Sequence, residues 1–433
     1  MNPPSTRVLA GVGLVRRRTA ATALLLGLGL GLAGTVGAAG RGVSAERLAR
    51  LGRFLQAGTQ PGGHLGAVAL VAHRGRVVLR QAYGHRDLVR QAPMPLDAIF
   101  RIYSMSKPIA SVALLMLLEE GRVSLDDPLA QHLPEFAGQQ VWAGGSPGLA
   151  GGPAGRAPAR PLTLRHLLTH TAGFATRGAD PAHALLEAAA PSDAASLQDF
   201  ARRVASVPLA ADPGTRFAYD GVNTEVLGRV VEVVAGEDFG RFLQARIFTP
   251  LGMKDTAFAV PPAQRHRIAE LSALGPGGRL VQAPGPSSLT PGLALNLYPS
   301  GAGGLYSTAD DYLRFARMLL AGGELAGRRL LGRKTVALMQ LNQLAHLDPV
   351  AGLAAGEGFG LGVSVVVDPA RRGRLASAGA YGWSGAASTY FTVDPQEQLI
   401  AILLMQHLPQ DDLPGELPKP GVKFQNLVYQ ALE

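Results

Sequence analysis

The chain of 433 residues contains no cysteine. That absence excludes disulfides, a thiol nucleophile, and any Cys-ligated zinc or iron–sulfur site. It also excludes the lipid-modified cysteine of a lipoprotein anchor. Charged residues make up only 17% and aromatic residues 6%, against 47% hydrophobic. A chain so apolar is not intrinsically disordered. Glycine is abundant, at 55, but follows no three-residue period, so the chain is not collagen-like. Lysine is scarce: Lys107, Lys254, Lys334, Lys419 and Lys423 stand against 36 arginines. After residue 40 no run of 18 apolar residues occurs, and the body shows no membrane-span pattern. The length suits two or three domain-sized units or one large two-lobed fold.

The first 40 residues differ from the rest. Arg7, Arg16, Arg17 and Arg18 open a segment with no acid, an uncharged apolar stretch follows, and Val36-Gly37-Ala38-Ala39-Gly40 closes it. A basic start, an apolar middle and a small-residue end describe a secretory signal over residues 1–40, and hence a periplasmic or secreted body at 41–433. An uncleaved anchor helix is the alternative. Cleavage also removes much of the charge: Lys+Arg falls from 41 to 37 against Asp+Glu 32, so the net charge drops from +9 to +5. The remaining arginines are interleaved with acids. With no zinc-finger spacing and no long basic run, nucleic acid is not an expected partner.

In the body, Ala67–Ala72 and Val77–Leu79 flank His73-Arg74-Gly75 and read as a hairpin. Strands are also expected at Val363–Val367, Ser388–Val393 and Leu399–Met405, the last two joined at Asp394-Pro395. Between these ends the pattern is mostly helical. Pro108–Glu120 is apolar nearly all round and stops at Gly121, which predicts a buried central helix. Leu197, Phe200 and Val204 have helical spacing, as do Val226, Val230, Val233 and Val234 before Gly236. Ser307–Asp310 reads as a capping box. Residues 143–160 are a Gly/Pro/Ala insert, read as a flexible surface loop. Strands from both ends with helices between them imply an α+β fold: one antiparallel sheet, flanking helices, and an inserted helical lobe over roughly 120–300.

Lys107 lies three residues after Ser104 at the start of the apolar helix, and no other lysine has a serine at that spacing. Positions i and i+3 share a helical face. Serine needs an adjacent base to act as a nucleophile, and burial makes a lysine easier to deprotonate. A helix N-terminus adds N–H groups for a developing oxyanion. The plainer reading is a helix cap, by Ser104 or Ser106, followed by a solvated lysine.

Tyr103-Ser104-Met105-Ser106-Lys107-Pro108 resembles the first motif of the serine β-lactamase and penicillin-binding-protein superfamily. The likeness is closest to the class C β-lactamase branch and its related carboxylesterases. It extends through Leu162–Gly173, Phe217-Ala218-Tyr219 with Leu227–Glu232, Pro250–Thr256 and Gly303–Ser307. The resemblance implies a β-lactamase/transpeptidase-like fold in which Tyr219 shares proton transfer with Lys107. The family's Tyr-Ser-Asn or Tyr-Ala-Asn is Tyr219-Asp220-Gly221 here, and Asn223 falls two residues later. Trp383-Ser384-Gly385 matches the third motif, placed just before a strand, and implies Ala386 and Ser104 N–H groups as the oxyanion hole. Trp383 stands where a cation binds a β-lactam or peptide carboxylate, which favours neutral esters. Lys334-Thr335 mimics that motif but opens a helical stretch.

Two other readings are set aside. Gly382–Ala386 nearly fits the G-x-S-x-G elbow around Ser384, but strand residues follow instead of a helix. His166 and His170, four apart, could share a helix face as metal ligands, but lack the zincin glutamate and a third ligand. Structural histidines, and chemistry without metal or cofactor, are expected. The expected function is ester hydrolysis through an acyl-enzyme on Ser104. β-Lactamase or D-alanyl-D-alanine carboxypeptidase activity at the same site is the alternative, and a non-catalytic sensor the third. The expected partner is a small ester or amide substrate.

Overall fold

The computed structural model describes residues 42–144, 154–175, 182–347, 350–410 and 415–433. The expected leader and the middle of the Gly/Pro insert lie outside these residues. The seven-stranded sheet comprises β1 (Gly66–His73), β2 (Arg76–Gly84), β3 (Glu357–Phe359), β4 (Ser364–Val366), β5 (Tyr381–Gly385), β6 (Thr389–Asp394) and β7 (Leu399–Met405). Its order is β3-β4-β5-β6-β7-β1-β2, and every neighbouring pair is antiparallel. The β1–β2 hairpin turns through Arg74 (φ 49°) and Gly75 (φ 77°), the two left-handed positions of a type I′ turn. Strand β1 therefore sits beside β7, and the two chain ends build one sheet.

The main helices are α1 (Ala45–Gly58), α2 (Ser106–Glu119), α3 (Leu197–Ala205), α4 (Val222–Ala235), α5 (Ala309–Leu320) and α6 (Gly421–Tyr429). Every residue of β1 and β7 is buried. Strand alternation explains how. Ala67, Ala69 and Val71 pack with Leu51, Leu55, Phe424 and Val428 of α1 and α6 on the outer face. Val68, Leu70 and Ile402 face inward, into the core shared by α2, α4 and α5. A strand covered on both sides reads as a continuous apolar run.

Helix α2 is buried from Ser106 through Leu117 and is followed by Gly121 at φ 69°. Each of its buried Leu, Ile or Val side chains contributes about 1.5–3 kcal/mol of burial, so the helix is held by packing on all sides. Helix α4 ends at Gly236 (φ 76°), and Ser196 caps α3. Thr308, rather than Ser307, caps α5, its hydroxyl accepting from the Asp311 N–H at 3.2 Å. Val141–Gly144 and Ala154–Arg156 pair as hairpin arms, so the ends of the Gly/Pro insert are ordered strand. Strand β5 was not expected: the third-motif segment is itself a strand, not the approach to one.

Candidate active site

Phe100–Arg101 pairs with Tyr306–Ser307 in a short antiparallel ladder. The chain then passes through Ile102 into a 3₁₀ turn, Tyr103–Met105, which runs straight into α2. Tyr103 adopts φ 44°, a left-handed conformation that a bulky residue occupies only under tertiary constraint. The strain lies immediately before Ser104. Neither serine caps the helix: α2 has no side-chain cap, and the Ser106 hydroxyl accepts the Leu305 N–H at 3.3 Å. Lys107 is 4% exposed, and its Nζ donates to Ser104 Oγ at 3.1 Å and to the Ala302 carbonyl at 2.7 Å.

Tyr219 completes the group. Lys107 Nζ lies 4.9 Å from the centroid of its ring. The ring is flanked by His170, at 4.7 Å between centroids, and by Trp383, at 4.9 Å. Trp383 Nε1 donates to Tyr219 Oη at 2.9 Å, and the indole meets Phe359 edge-on at 5.2 Å. Tyr219 remains 37% exposed, so the phenol is open to a ligand.

The third-motif residues are divided between the two sheet faces. Successive strand residues point to opposite sides. Trp383 faces Tyr219 and pairs with the inward Phe391, whereas Ser384 pairs with Tyr390, which packs on the outer face. The structure therefore does not bring the Ser384 side chain to Ser104. Gly385 has a different role: a Cβ there would overlap the Ile102 carbonyl and the Thr389 hydroxyl. Only glycine lets the end of β5 approach the segment leading to Ser104, and Thr389 Oγ1 reinforces the contact by donating to Ile102 O at 3.3 Å. Ala386 follows as an exposed residue in the turn. Lys334 and Thr335 belong to a separate short helix, Arg333–Met339.

Two buried carboxyls, Asp220 and Glu225, feel the charge of Lys107, and the sequence pattern assigns neither of them to the site. Asp220 accepts from the Asn223 backbone N–H and, at 2.9 Å, from its side-chain amide. Burial pushes the Asp220 carboxyl up to about 6, while the Asn223 bonds and the Lys107 charge act against this. Asn223 is thus committed to Asp220. Glu225, on α4, accepts from Ser300 Oγ. Burial raises it to about 7, opposed by Ser300 and Lys107. The Ser300–Ala302 loop therefore joins Glu225 to Lys107. The available signal was positional: Glu225 falls three residues after Val222, beside the apolar stripe of α4.

The two histidines do not share a helix face. Leu164–Leu168 is one short helix, and His170 lies beyond it at φ 53°. His166 Nδ1 accepts the Thr163 N–H in a capping box, and burial lowers its ring to about 4. His170 is pushed well below its ordinary range by burial and then by Lys107, so it packs as a neutral ring beneath Tyr219. Among the described residues no cluster of three or more His, Asp or Glu is placed to hold a metal ion.

The strained serine turn, the lysine bonded to its hydroxyl and the tyrosine opposite stand on an α+β fold of the β-lactamase/transpeptidase type. The β-lactamase family profile matches residues 51–417, and the chain belongs to that family. Esterase EstB of Burkholderia gladioli is 32% identical over 379 residues, covering 82% of this chain and 88% of the esterase. Protein Rv1367c of Mycobacterium tuberculosis is 35% identical over 360 residues, covering 79% and 86%. Among solved structures, EstCE1, a hydrolase with promiscuous acyltransferase activity, matches with a TM-score of 0.71 at 25% identity, covering 89% of this chain and 98% of its own.

Proposed function

We propose that this protein hydrolyses carboxylic esters through an acyl-enzyme on Ser104. The observation that carries the reading is the 3.1 Å bond from Lys107 Nζ to Ser104 Oγ, set opposite a Tyr219 held by the Trp383 indole. Ser104 Oγ attacks the ester carbonyl, the new C–O bond forms, and the carbonyl electrons move to oxygen. The serine proton passes to the Lys107–Tyr219 pair. N–H groups of Ser104 and Ala386 receive the oxyanion. Collapse expels the alkoxide, which takes that proton and leaves as the alcohol. Water then attacks the acyl carbon by the reverse proton route and releases the acid.

Trp383 supports esters over β-lactams and peptides, because it offers a neutral apolar wall where a carboxylate-binding cation would stand. EstB, named an esterase, agrees with that preference. In this reading residues 1–40 export the chain, and 41–433 form the hydrolase with its sheet lobe and inserted helical lobe. Among the described residues no helix is long and apolar enough to cross a membrane. The deciding experiment offers the purified full chain a short-chain p-nitrophenyl ester and nitrocefin side by side. Ester turnover with little nitrocefin turnover is expected, and rapid nitrocefin turnover would reverse the preference.

A further inference from the structure

The strand that enters the serine turn lacks a strand neighbour on one side of Arg101. The Ile102 N–H donates to the Leu305 carbonyl at 3.0 Å, so Arg101, one residue earlier, points its own N–H and C=O the other way. Its cross-strand partner Tyr306 also points outward, and there it exchanges both backbone bonds with Ala257, at 2.8 and 3.2 Å. On the Arg101 side the Arg267–Ala269 segment bonds to Ile99 but not to Arg101. One side chain takes the place of the absent strand. Gln406 Oε1 accepts the Arg101 N–H at 3.2 Å, and Gln406 Nε2 donates to the Arg101 carbonyl at 3.0 Å. A buried peptide has to find both partners, and here a single carboxamide supplies them.

The carboxamide is itself fixed. Gln406 is 5% exposed and directly follows β7. Its Nε2 also donates to the Met405 carbonyl at 2.7 Å, so both amide hydrogens are used, and a flipped amide would set Oε1 against two carbonyls. Its own carbonyl accepts the Ser272 N–H at 2.9 Å and the Ser272 hydroxyl at 3.0 Å. The next residue, His407, donates its N–H to the Ala387 carbonyl at 3.3 Å. Residues 406 and 407 therefore hold the serine strand on one side and the turn after β5 on the other.

We propose that Gln406 is a positioning residue for acyl transfer, setting Ser104 in register with the Ala386 N–H. This rests on the reading of Ser104 as nucleophile and Ala386 as oxyanion donor. Tyr103, at φ 44°, stands between Arg101 and Ser104, and a strained residue persists only where its surroundings over-determine it. Gln406 fixes the peptide groups just before that strain. Its side chain bonds to neither Ser104 nor Lys107, so it governs the rate of attack and not the binding of the ester.

Gln406→Met keeps the length of the side chain and removes both bonds to Arg101. Two rates are measured on the full chain, at a temperature where thermal unfolding shows the variant folded: fluorophosphonate labelling of Ser104 by intact mass, and ester turnover. A displacement of about 1 Å at a reacting group costs up to about 10²-fold. The labelling rate and kcat should therefore each fall at least about tenfold, with KM within about twofold of wild type. If Gln406→Met does not fold, Gln406→Asn, whose carboxamide stops one methylene short, decides by the same two rates. A lowered Tm with wild-type labelling and kcat overturns the proposal, because the bonds would then serve stability alone. A change confined to KM overturns it as well. A wild type that takes no label overturns the Ser104 reading itself, and this assignment with it.

Discussion

Trp383 Nε1 and Tyr219 Oη are joined by a 2.9 Å hydrogen bond across the cleft. One residue comes from strand β5 and the other from the loop before α4, so this bond ties the sheet to the helical side beside Lys107. The indole N–H uses one lone pair of the phenol oxygen and orients its proton, with no net charge. Trp383→Phe keeps an aromatic ring near Phe359 and removes the donor together with part of the indole. A hydrogen bond of this kind is worth about 1 kcal/mol, so kcat on a p-nitrophenyl ester should fall roughly fivefold to tenfold with KM little changed. A change in KM alone would make Trp383 a substrate wall and not a partner of Tyr219.

Ser104→Ala tests the nucleophile. The hydroxyl accepts one bond from Lys107, so its loss should cost no more than about 1 kcal/mol of stability. Ester turnover should drop at least about 10³-fold. Intact-mass analysis after a fluorophosphonate probe should show one adduct on the wild type and none on the variant. Full activity in Ser104→Ala would remove the assignment, and an inert wild type would favour a non-catalytic sensor.

Gly385→Ala tests the close approach of β5 to the serine segment. The added methyl meets the Ile102 carbonyl and the Thr389 hydroxyl, neither free to retreat. Overpacking of this kind costs typically 1–3 kcal/mol, and here the displaced strand carries Trp383 and leads directly into Ala386. Stability and kcat should fall together. Gly138→Ala is the control, because a Cβ there meets nothing within 4 Å. If Gly385→Ala kept full activity, the oxyanion reading of Ala386 would lose its structural support.

The apolar continuity of Pro108–Leu117 marked the central helix because α2 is buried on every side. Leu399–Met405 matched its strand end to end for the same reason, since both faces of β7 are covered. Strand β5 is hard to read: Tyr381-Gly382-Trp383-Ser384-Gly385 carries two glycines and only one alternating pair, Tyr381 and Trp383, and pairing with β4 and β6 makes it a strand. The division of Trp383 and Ser384 between faces follows from that pairing. Asp220 and Glu225 look like ordinary surface acids in the sequence. The burial of Glu225 arises where α4 meets the Ser300 loop, 75 positions away in the chain, and no local pattern announces such a contact.

Glu225 gives the pH prediction. Its carboxyl rises from an ordinary 4.5 to about 7 in the folded protein, chiefly by burial. The native state therefore holds this proton more tightly than the unfolded chain does. The stabilisation it supplies is complete below about pH 4.5 and is lost as the pH climbs through about 7. Glutamine mimics the protonated acid and cannot titrate. The stability of Glu225→Gln relative to wild type should thus increase by about 3 kcal/mol between these limits, then level off. Asp220, raised to about 6, contributes a slope of the same sign, whereas His166 and His170, lowered by burial, contribute the opposite one. Those terms are common to both proteins and drop out of the difference. Urea unfolding of the pair at several pH values measures it directly. A difference that stayed flat from pH 4.5 to 8 would mean that Glu225 titrates as it does in water, and that the Ser300 loop does not hold a protonated acid beside Lys107.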